Sequence, residues 1–173
     1  TPALTKQDRS PVTVGDFAAQ AVVGRLLAQA FPHDRLVAEE DSAPLRQPDN
    51  APLLDQVTRF LQRIDPHASP AQVCAWIDFN RVDSAARFWT LDPIDGTKGF
   101  LRGEQYAVAL ALVVDGKVQV GVLGCPNLIH ASTSEIGGPG SLVIGVLGQG
   151  AWATSLNMDE PFFRLGVSPI NQP

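Results

Sequence analysis

The chain of 173 residues is 45% hydrophobic and 18% charged, which predicts a globular protein with one large domain, or one domain and part of another. A formal net charge of −5 and the lack of any basic run argue against a surface for polymeric nucleic acid, and no apolar run is long enough to span a membrane. The N-terminus lacks a signal-peptide pattern, and Cys74 and Cys125 fit no metal-binding spacing, so we expect reduced, buried thiols in a cytoplasmic protein.

Helices dominate the predicted elements of the first half of the chain. Residues 1–11 are polar and expected to be irregular, whereas apolar residues recur at helical spacing over residues 14–30. The apolar run 36–38 predicts a short buried strand that ends at Glu39 and Glu40.

Two further helices are predicted after a loop over residues 42–52, which is rich in proline and polar side chains. The apolar spacing over residues 53–64 is typical of an amphipathic helix. Ser69-Pro70-Ala71-Gln72 has the form of a capping box with proline at the first helical position, and it predicts a third helix that ends near residue 79.

Strands dominate the second half of the chain, where short runs of β-forming residues are separated by turns. The predicted strands are residues 87–91, 107–114, 117–123, 141–147 and 151–153. Asp115-Gly116 is typical of a tight hairpin, and the pattern thins after Phe162. Helices followed by strands indicate a mixed α/β domain, an α+β layered sandwich in which helices flank a mainly antiparallel sheet.

The most informative segment is Asp92-Pro93-Ile94-Asp95, which follows the predicted strand 87–91. Proline cannot continue a strand ladder, so we expect the strand to end at Asp92 and the chain to turn there. Two carboxylates so close together repel each other unless a cation lies between them, and the Ile94 carbonyl could be a further oxygen ligand. Oxygen ligands without a competing His or Cys cluster favour Mg²⁺ over zinc.

The residues after this segment predict a phosphate site. If a helix or tight turn starts at Gly96-Thr97-Lys98-Gly99, its free backbone N–H groups face the cation and can bind an anion. Gly96 permits close approach of a phosphate to the backbone, and the Thr97 hydroxyl can orient a water molecule. Lys98 and Arg102 are either phosphate-steering or surface charges. An acidic pocket that accepts a phosphate requires cations to reverse its charge.

Four acidic residues lie where a predicted element starts or ends, as catalytic groups often do: Asp16, Glu39, Asp92 and Asp95. Each also has a purely structural interpretation. Asp16 alone is better explained by a capping box with Thr13, and Glu39 alone by a solvated pair with Glu40. A mere capped turn would not need the many special residues of segment 92–97, so there we favour function.

These residues resemble a known superfamily, the lithium-sensitive, magnesium-dependent phosphatases that include inositol monophosphatase. The similarity lies in segment 92–97 (DPIDGT), the Glu pair upstream of it, and the early Asp16 that opens a helix. The longer segment 88–105 (FWTLDPIDGTKGFLRGEQ) is closer to the 3′(2′),5′-bisphosphate nucleotidases of fungi and plants, as are residues 10–16 (SPVTVGD) and 118–128 (VQVGVLGCPNL).

The resemblance implies the inositol monophosphatase/sugar phosphatase-like fold and Mg²⁺-dependent hydrolysis of the 3′-phosphate of 3′-phosphoadenosine 5′-phosphate, which gives AMP. The implied second substrate is 3′-phosphoadenosine 5′-phosphosulfate. The implied metal ligands are Glu39, Asp92, the Ile94 carbonyl and Asp95. Asp16 and Thr97 would position and activate the attacking water, and the backbone of Gly96 and Thr97 would hold the phosphate.

The chain also departs from the pattern of this family. Ala38 occupies the place of the usual glycine before the Glu pair, and the sequence contains no Trp-Asp pair, which family members carry in a second domain. The resemblance thus implies an N-terminal metal-binding domain over residues 1–167, a linker or cut end over residues 168–173, and an absent C-terminal domain. We expect this chain alone to be inactive, and its exposed apolar face to associate with the missing half or with a second copy.

Two other functions fit the sequence. One is a sister phosphatase that acts on inositol phosphates, which a preference for inositol 1-phosphate over the nucleotide would establish. The other is a non-catalytic fragment that binds metal or a partner chain, which predicts no turnover.

Overall fold

The computed structural model describes residues 3–5 and 11–166. Its helices are α1 (Val14–Ala30), α2 (Ala51–Leu61), α3 (Pro70–Ile77) and α4 (Thr97–Arg102), and 3-10 turns lie at Pro44–Arg46 and Pro48–Asn50. Its strands are β1 (Ala3–Thr5), β2 (Pro11–Thr13), β3 (Arg35–Ala38), β4 (Arg87–Asp95), β5 (Ala107–Val114), β6 (Lys117–Cys125), β7 (Leu128–Ile129), β8 (Thr133–Ser134), β9 (Ser141–Val146), β10 (Gly150–Thr154) and β11 (Phe163–Leu165).

A mixed sheet of seven strands forms one layer, in the order β11-β10-β9-β6-β5-β4-β3. β3 and β4 run parallel, whereas the other neighbouring strands of this sheet pair in antiparallel fashion. Two small antiparallel pairs, β1 with β2 and β7 with β8, lie outside it. The expected mainly antiparallel sheet with flanking helices is confirmed.

The helices α1, α2 and α3 form a second layer, in which α1 packs against both of the others. Their shared core is almost fully buried and includes Phe17, Ala21, Val57, Val73 and Ile77. Gly24 brings α1 very close to α3, because a Cβ at this position would overlap the Trp76 carbonyl oxygen. No helix in the described part of the chain combines the length and the apolar character needed to cross a membrane.

The two faces of the sheet have different surroundings. Trp89 and Leu91 of β4 join Leu27 and Leu36 in a buried cluster on the face that α1 covers. Because side chains alternate along a strand, Thr90 and Asp92 lie on the opposite face. We call this the open face: it carries a groove of about 400 Å³, lined also by Ala109, Ala111, Gly121, Leu123, Val143, Gly145 and Ala151.

Several expectations for the elements are wrong in detail. Residues 1–11 are not wholly irregular, since β1 pairs with β2. After Phe162, where the sequence pattern thins and predicts no element, the structure has β11, which pairs with β10. The loop 42–52 contains both 3-10 turns and the start of α2. Strands of two or three residues are too short to show a periodic pattern. The predicted linker over residues 168–173 lies outside the described residues, whereas the predicted buried thiols of Cys74 and Cys125 are confirmed.

Candidate functional site

The acidic ends of the parallel strands β3 and β4 meet at one edge of the sheet. In the register of this pair Ala38 lies beside Leu91, so the next residue of each chain segment, Glu39 after the end of β3 and Asp92 within β4, follows side by side. Their closeness has an electrostatic consequence, because the Glu39 carboxylate contributes to a raised pKa of Asp92. Parallel pairing is therefore what joins the upstream Glu pair to segment 92–97.

The path of β4 differs from the expectation that the strand ends at Asp92. The strand continues through Pro93 to Asp95, and its ladder with β5 shifts register between Asp92 and Asp95. Pro93, which has no N–H to donate, lies within this irregular step. The Ile94 N–H donates a hydrogen bond to Asp92 Oδ1 at 3.1 Å. The proline thus marks a bulge within the strand and not its end.

Gly96 joins β4 to α4 in a left-handed conformation with a φ of 88°. Thr97 begins α4, and its hydroxyl donates a hydrogen bond to the Ile94 carbonyl at 3.1 Å. That carbonyl oxygen has a second lone pair, and the hydroxyl oxygen can still accept a hydrogen bond. A Cβ on Gly99 would overlap the Gln105 carbonyl oxygen, so α4 packs directly on the chain that follows it.

The N-terminus of α1 packs on the same segment. A Cβ on Gly15 would lie 2.8 Å from Ile94 Cδ1 and 3.2 Å from Phe100 Cζ. The next residue, Asp16, is 2% exposed and closes a capping box, in which its Oδ2 accepts bonds from the Thr13 N–H and the Thr13 hydroxyl, each at 2.7 Å. The structure therefore contains the predicted capping box and also brings Asp16 to the edge of segment 92–97.

Burial and mutual repulsion raise the pKa values of two carboxyl groups here. Burial, the Glu39 charge and the Asp95 charge raise the pKa of Asp92 to about 6. Burial is the main cause that raises the pKa of Asp16, with a smaller contribution from Glu39, while hydrogen bonds from Thr13 act in the opposite direction. Carboxylates in such surroundings gain stability from a bound proton or a bound cation.

The predicted ligands do not form a closed cage. Within residues 3–5 and 11–166, the structure has no group of three or more His, Cys, Asp or Glu side chains arranged to hold a metal ion. Their chemistry nevertheless fits a hard divalent cation, because the donors are carboxylate oxygens and the Ile94 carbonyl, and because Glu39 and Asp95 both raise the pKa of Asp92. Side-chain rotation would have to bring these oxygens together around an ion.

The two basic residues after the segment differ in their surroundings. Arg102, at the end of α4, forms an exposed ion pair with Glu104 at 2.6 Å. Lys98 is exposed in the first turn of α4, next to Thr97. The surface interpretation therefore suits Arg102, and Lys98 is the better candidate for an interaction with a phosphate.

Gln20 is a further residue of this site that no motif of the sequence singles out, and it is completely buried beside the Glu pair. Its side-chain amide donates hydrogen bonds to the carbonyls of Glu40 and Ile77, and its Oε1 accepts one from the Glu40 N–H. The sequence does contain a signal for it. Gln20 follows Asp16 by one helical turn, and this places an uncharged polar side chain on the buried side of a predicted helix.

Comparison with known proteins places the chain in a family. The sequence model of the inositol monophosphatase family matches residues 3–168. A 3′(2′),5′-bisphosphate nucleotidase 2 of Candida albicans is 43% identical, over 98% of this chain and 49% of its own length. The 3′(2′),5′-bisphosphate nucleotidases of Schizosaccharomyces pombe and Oryza sativa are 42% and 38% identical, over 91% and 98% of this chain and 48% and 52% of their own lengths. The chain spans about half the length of the curated relatives it matches.

Solved structures share the fold. A crystal structure of an IMPase/NADP phosphatase complexed with Mg²⁺ and phosphate has a TM-score of 0.52 and 21% identity, over 88% of this chain and 41% of that chain. A staphylococcal IMPase-I complexed with products has a TM-score of 0.52 and 21% identity, over 88% of this chain and 40% of that one. At such identity the likeness concerns the fold alone. The family match and the identity to curated relatives together show that this chain belongs to the inositol monophosphatase family.

Proposed function

We propose that the chain is the metal-binding half of a 3′(2′),5′-bisphosphate nucleotidase. The whole enzyme removes the 3′-phosphate of 3′-phosphoadenosine 5′-phosphate, and that of 3′-phosphoadenosine 5′-phosphosulfate, with Mg²⁺ as cofactor. The observation that carries this proposal is the identity of 43% and 38% to fungal and plant nucleotidases over 98% of the chain. Family membership alone supports a phosphatase, and this identity supports the nucleotidase branch.

The metal site in this proposal lies at the joined ends of β3 and β4. Its ligands are Glu39, Asp92, Asp95 and the Ile94 carbonyl. When bound there, Mg²⁺ lowers the pKa of a coordinated water and offsets the charge of the phosphate. Two features support this set of ligands: the register of β3 and β4 brings Glu39 beside Asp92, and the charges of Glu39 and Asp95 raise the pKa of Asp92.

Asp16 and Thr97 position the attacking water in this proposal. Burial raises the pKa of Asp16, which makes its carboxylate a better proton acceptor. The Thr97 proton is directed to the Ile94 carbonyl, so the hydroxyl oxygen is oriented to accept a hydrogen bond from the water. The backbone N–H groups of Gly96 and Thr97 hold the phosphate, and the Lys98 ammonium offsets its charge.

The test is release of inorganic phosphate from 3′-phosphoadenosine 5′-phosphate by the natural gene product that contains this chain, with Mg²⁺. Asp92→Asn is expected to abolish turnover. Asp115→Asn is the matched control and should retain wild-type turnover, because Asp115 lies in the exposed turn between β5 and β6. Absence of turnover in the wild type, or full activity of Asp92→Asn, would contradict the proposal. A preference for inositol 1-phosphate would instead establish the sister phosphatase.

We further propose that the 173-residue chain alone is inactive, and that its open face is covered by the remaining half of the enzyme or, without it, by a second copy. Two observations support this. The curated relatives are about twice as long as the stretch they share with the chain, and the groove on the open face is almost entirely apolar. A cytoplasmic location stays a prediction.

A further inference from the structure

We infer that Gln20 and Asp78 are positioning residues for the metal site: together they fix the backbone of the acidic strand end, by which we mean residues 39–42. Neither residue belongs to the proposed ligands. The inference rests on the proposed function, because it concerns how Glu39 is held in place to bind a divalent cation.

Gln20 holds the first part of the acidic strand end. Its Nε2 donates hydrogen bonds to the Glu40 carbonyl at 2.6 Å and to the Ile77 carbonyl at 2.9 Å, and its Oε1 accepts one from the Glu40 N–H at 3.0 Å. Both amide protons are thereby used, so the orientation of this buried amide is fixed. Since Glu40 adjoins Glu39, the same bonds fix the backbone from which the Glu39 side chain extends.

Asp78 holds the last part of the acidic strand end. Its Oδ1 accepts a hydrogen bond from the Ser42 N–H at 2.9 Å, and its Oδ2 accepts one from the Ser42 hydroxyl. Arg46 completes the group, because it donates to the Ser42 hydroxyl oxygen at 2.8 Å and to Asp78 at 3.2 Å. Hydrogen bonds to a carboxylate are stronger than those between neutral groups. Asp78 directly follows Ile77, whose carbonyl accepts a hydrogen bond from Gln20, so both Gln20 and Asp78 tie the acidic strand end to the end of α3.

One face of α1 connects these positioning residues to Asp16, the proposed proton acceptor. Asp16, Gln20 and Gly24 are spaced by four residues and therefore lie along one face of the helix. Gly24 sets the distance between α1 and α3, because its Cα lies against the Trp76 carbonyl. Asp16 and the acidic strand end are thus attached to the same pair of closely packed helices.

The chemistry of the Gln20 side chain indicates that it positions residues 39–42 and does not only fill space between the helices. An apolar side chain of similar volume would fill the space between α1 and α3. It could not bind the carbonyl and the N–H of Glu40 at the same time, which requires a donor and an acceptor on one side chain. Groups that orient a metal ligand in this way typically change metal affinity by about 10- to 100-fold when they are removed.

The test compares Gln20→Met, which keeps the length of the side chain, with Thr58→Val in the 173-residue chain. Thr58 is the matched control, because it is also buried and its hydroxyl donates to a backbone carbonyl, that of Leu54 at 2.8 Å. It lies in α2, outside the acidic strand end. Mn²⁺ binding is measured by calorimetry, and hydrogen exchange of the Glu40 and Ser42 amides by NMR. Urea unfolding shows whether both variants fold.

For Gln20→Met we expect Mn²⁺ binding at least about 10-fold weaker than wild type and faster exchange of the Glu40 amide. Thr58→Val should be less stable than wild type but should keep the wild-type Mn²⁺ affinity and the wild-type exchange rate of the Glu40 amide. Equal Mn²⁺ affinity of folded Gln20→Met and wild type would overturn the inference, as would a wild-type chain that binds no Mn²⁺. The two proposals can fail separately. A wild-type gene product that binds Mn²⁺ but releases no phosphate would contradict the nucleotidase activity and leave the positioning role of Gln20 intact.

Discussion

The Thr97 hydroxyl and the Ile94 carbonyl are joined by a hydrogen bond of 3.1 Å that spans the junction between β4 and α4. Asp92 makes the complementary bond, because its carboxylate accepts from the Ile94 N–H. Both backbone polar groups of Ile94 are therefore bound by side chains of the same short segment. The conformation of segment 92–97 is in this way stabilised by its own side chains.

Removing the Thr97 hydroxyl should affect stability and turnover to different extents. Thr97→Val keeps the shape of the side chain but loses the bond to Ile94, so we expect a loss of about 1 kcal/mol in the free energy of unfolding. Turnover by the gene product should fall by at least about 100-fold, because the attacking water loses the hydroxyl oxygen that orients it toward the phosphate and toward Asp16. Thr97→Ser keeps the hydroxyl and is the control. Phosphate release and urea unfolding measure the two effects, and wild-type turnover in Thr97→Val would refute the role in catalysis.

The raised pKa of Asp92 predicts how the stability of the metal-free chain depends on pH. Its pKa is about 6 in the folded chain, against an ordinary value of 3.8. The folded chain binds this proton more tightly, so the resulting stabilisation is complete below about pH 4 and is lost as the pH rises through about 6. With allowance for solvent screening, we expect the wild type to lose on the order of 1 kcal/mol between pH 5 and pH 7.

Asp92→Asn should remove this part of the pH dependence and should be the more stable protein at pH 7 in EDTA. Urea unfolding at pH 5, 6 and 7 measures both proteins, and identical pH profiles would show that Asp92 does not titrate in this range.

Mg²⁺ should reverse the loss of stability at pH 7. An ion that binds only the folded chain stabilises it by about 2.7 kcal/mol when its concentration is 100 times its dissociation constant. Protons compete for the same carboxylates, so the increase in melting temperature on adding Mg²⁺ should be smaller at pH 5 than at pH 7. Thermal unfolding with Mg²⁺ or EDTA measures it. An increase that persists in Asp92→Asn would indicate that the ion binds elsewhere.

Gly24 should tolerate no side chain. A methyl group there would overlap the Trp76 carbonyl, so α1 and α3 must move apart, and we expect Gly24→Ala to cost about 1–3 kcal/mol of stability. Gly121→Ala is the control, because a Cβ at Gly121 meets no atom within 4 Å. Denaturant unfolding of both variants decides the point. Equal stability of Gly24→Ala and wild type would mean that the helices are not held at this distance.

The open face should promote self-association of the 173-residue chain. Leu123 lines its groove and is 41% exposed, so a charge at this position should weaken apolar contacts between copies. In sedimentation velocity we expect wild type to form larger species as its concentration rises, and Leu123→Lys to remain closer to a monomer. A wild-type chain that stays monomeric at all concentrations would exclude this association.

The sequence predicts the long elements of the fold well, and the reasons are local. α1 begins at a capping box and has a full apolar periodicity, so both of its predicted ends agree with the structure. The hairpin of β5 and β6 follows from Asp115-Gly116 in the same way. The bulge at Pro93 could not be predicted, because whether a strand resumes after a proline depends on the ladder offered by the neighbouring strand.

Only part of the candidate site could be predicted from the sequence, because contacts between distant residues leave no local pattern. Segment 92–97 carries its own signal, but Glu39 is brought to it by the parallel pairing of β3 and β4, which no local pattern specifies. Gln20 stayed unassigned for a related reason. Its partners, Glu40 and Ile77, are distant in sequence, and the three bonds that define its role exist only after α1 and α3 have packed together.

The parallel pairing of β3 and β4 also has a kinetic consequence. Parallel neighbours require a long crossover, and here the connection between β3 and β4, residues 39–86, contains α2 and α3. Contacts across such a separation form slowly, because the chain must lose the entropy of a large loop before the contacts stabilise it. We therefore expect the docking of α2 and α3 to precede the meeting of Glu39 with Asp92. A substitution in the packed core of these helices should then delay the appearance of metal affinity during refolding, even where the final protein binds the ion normally.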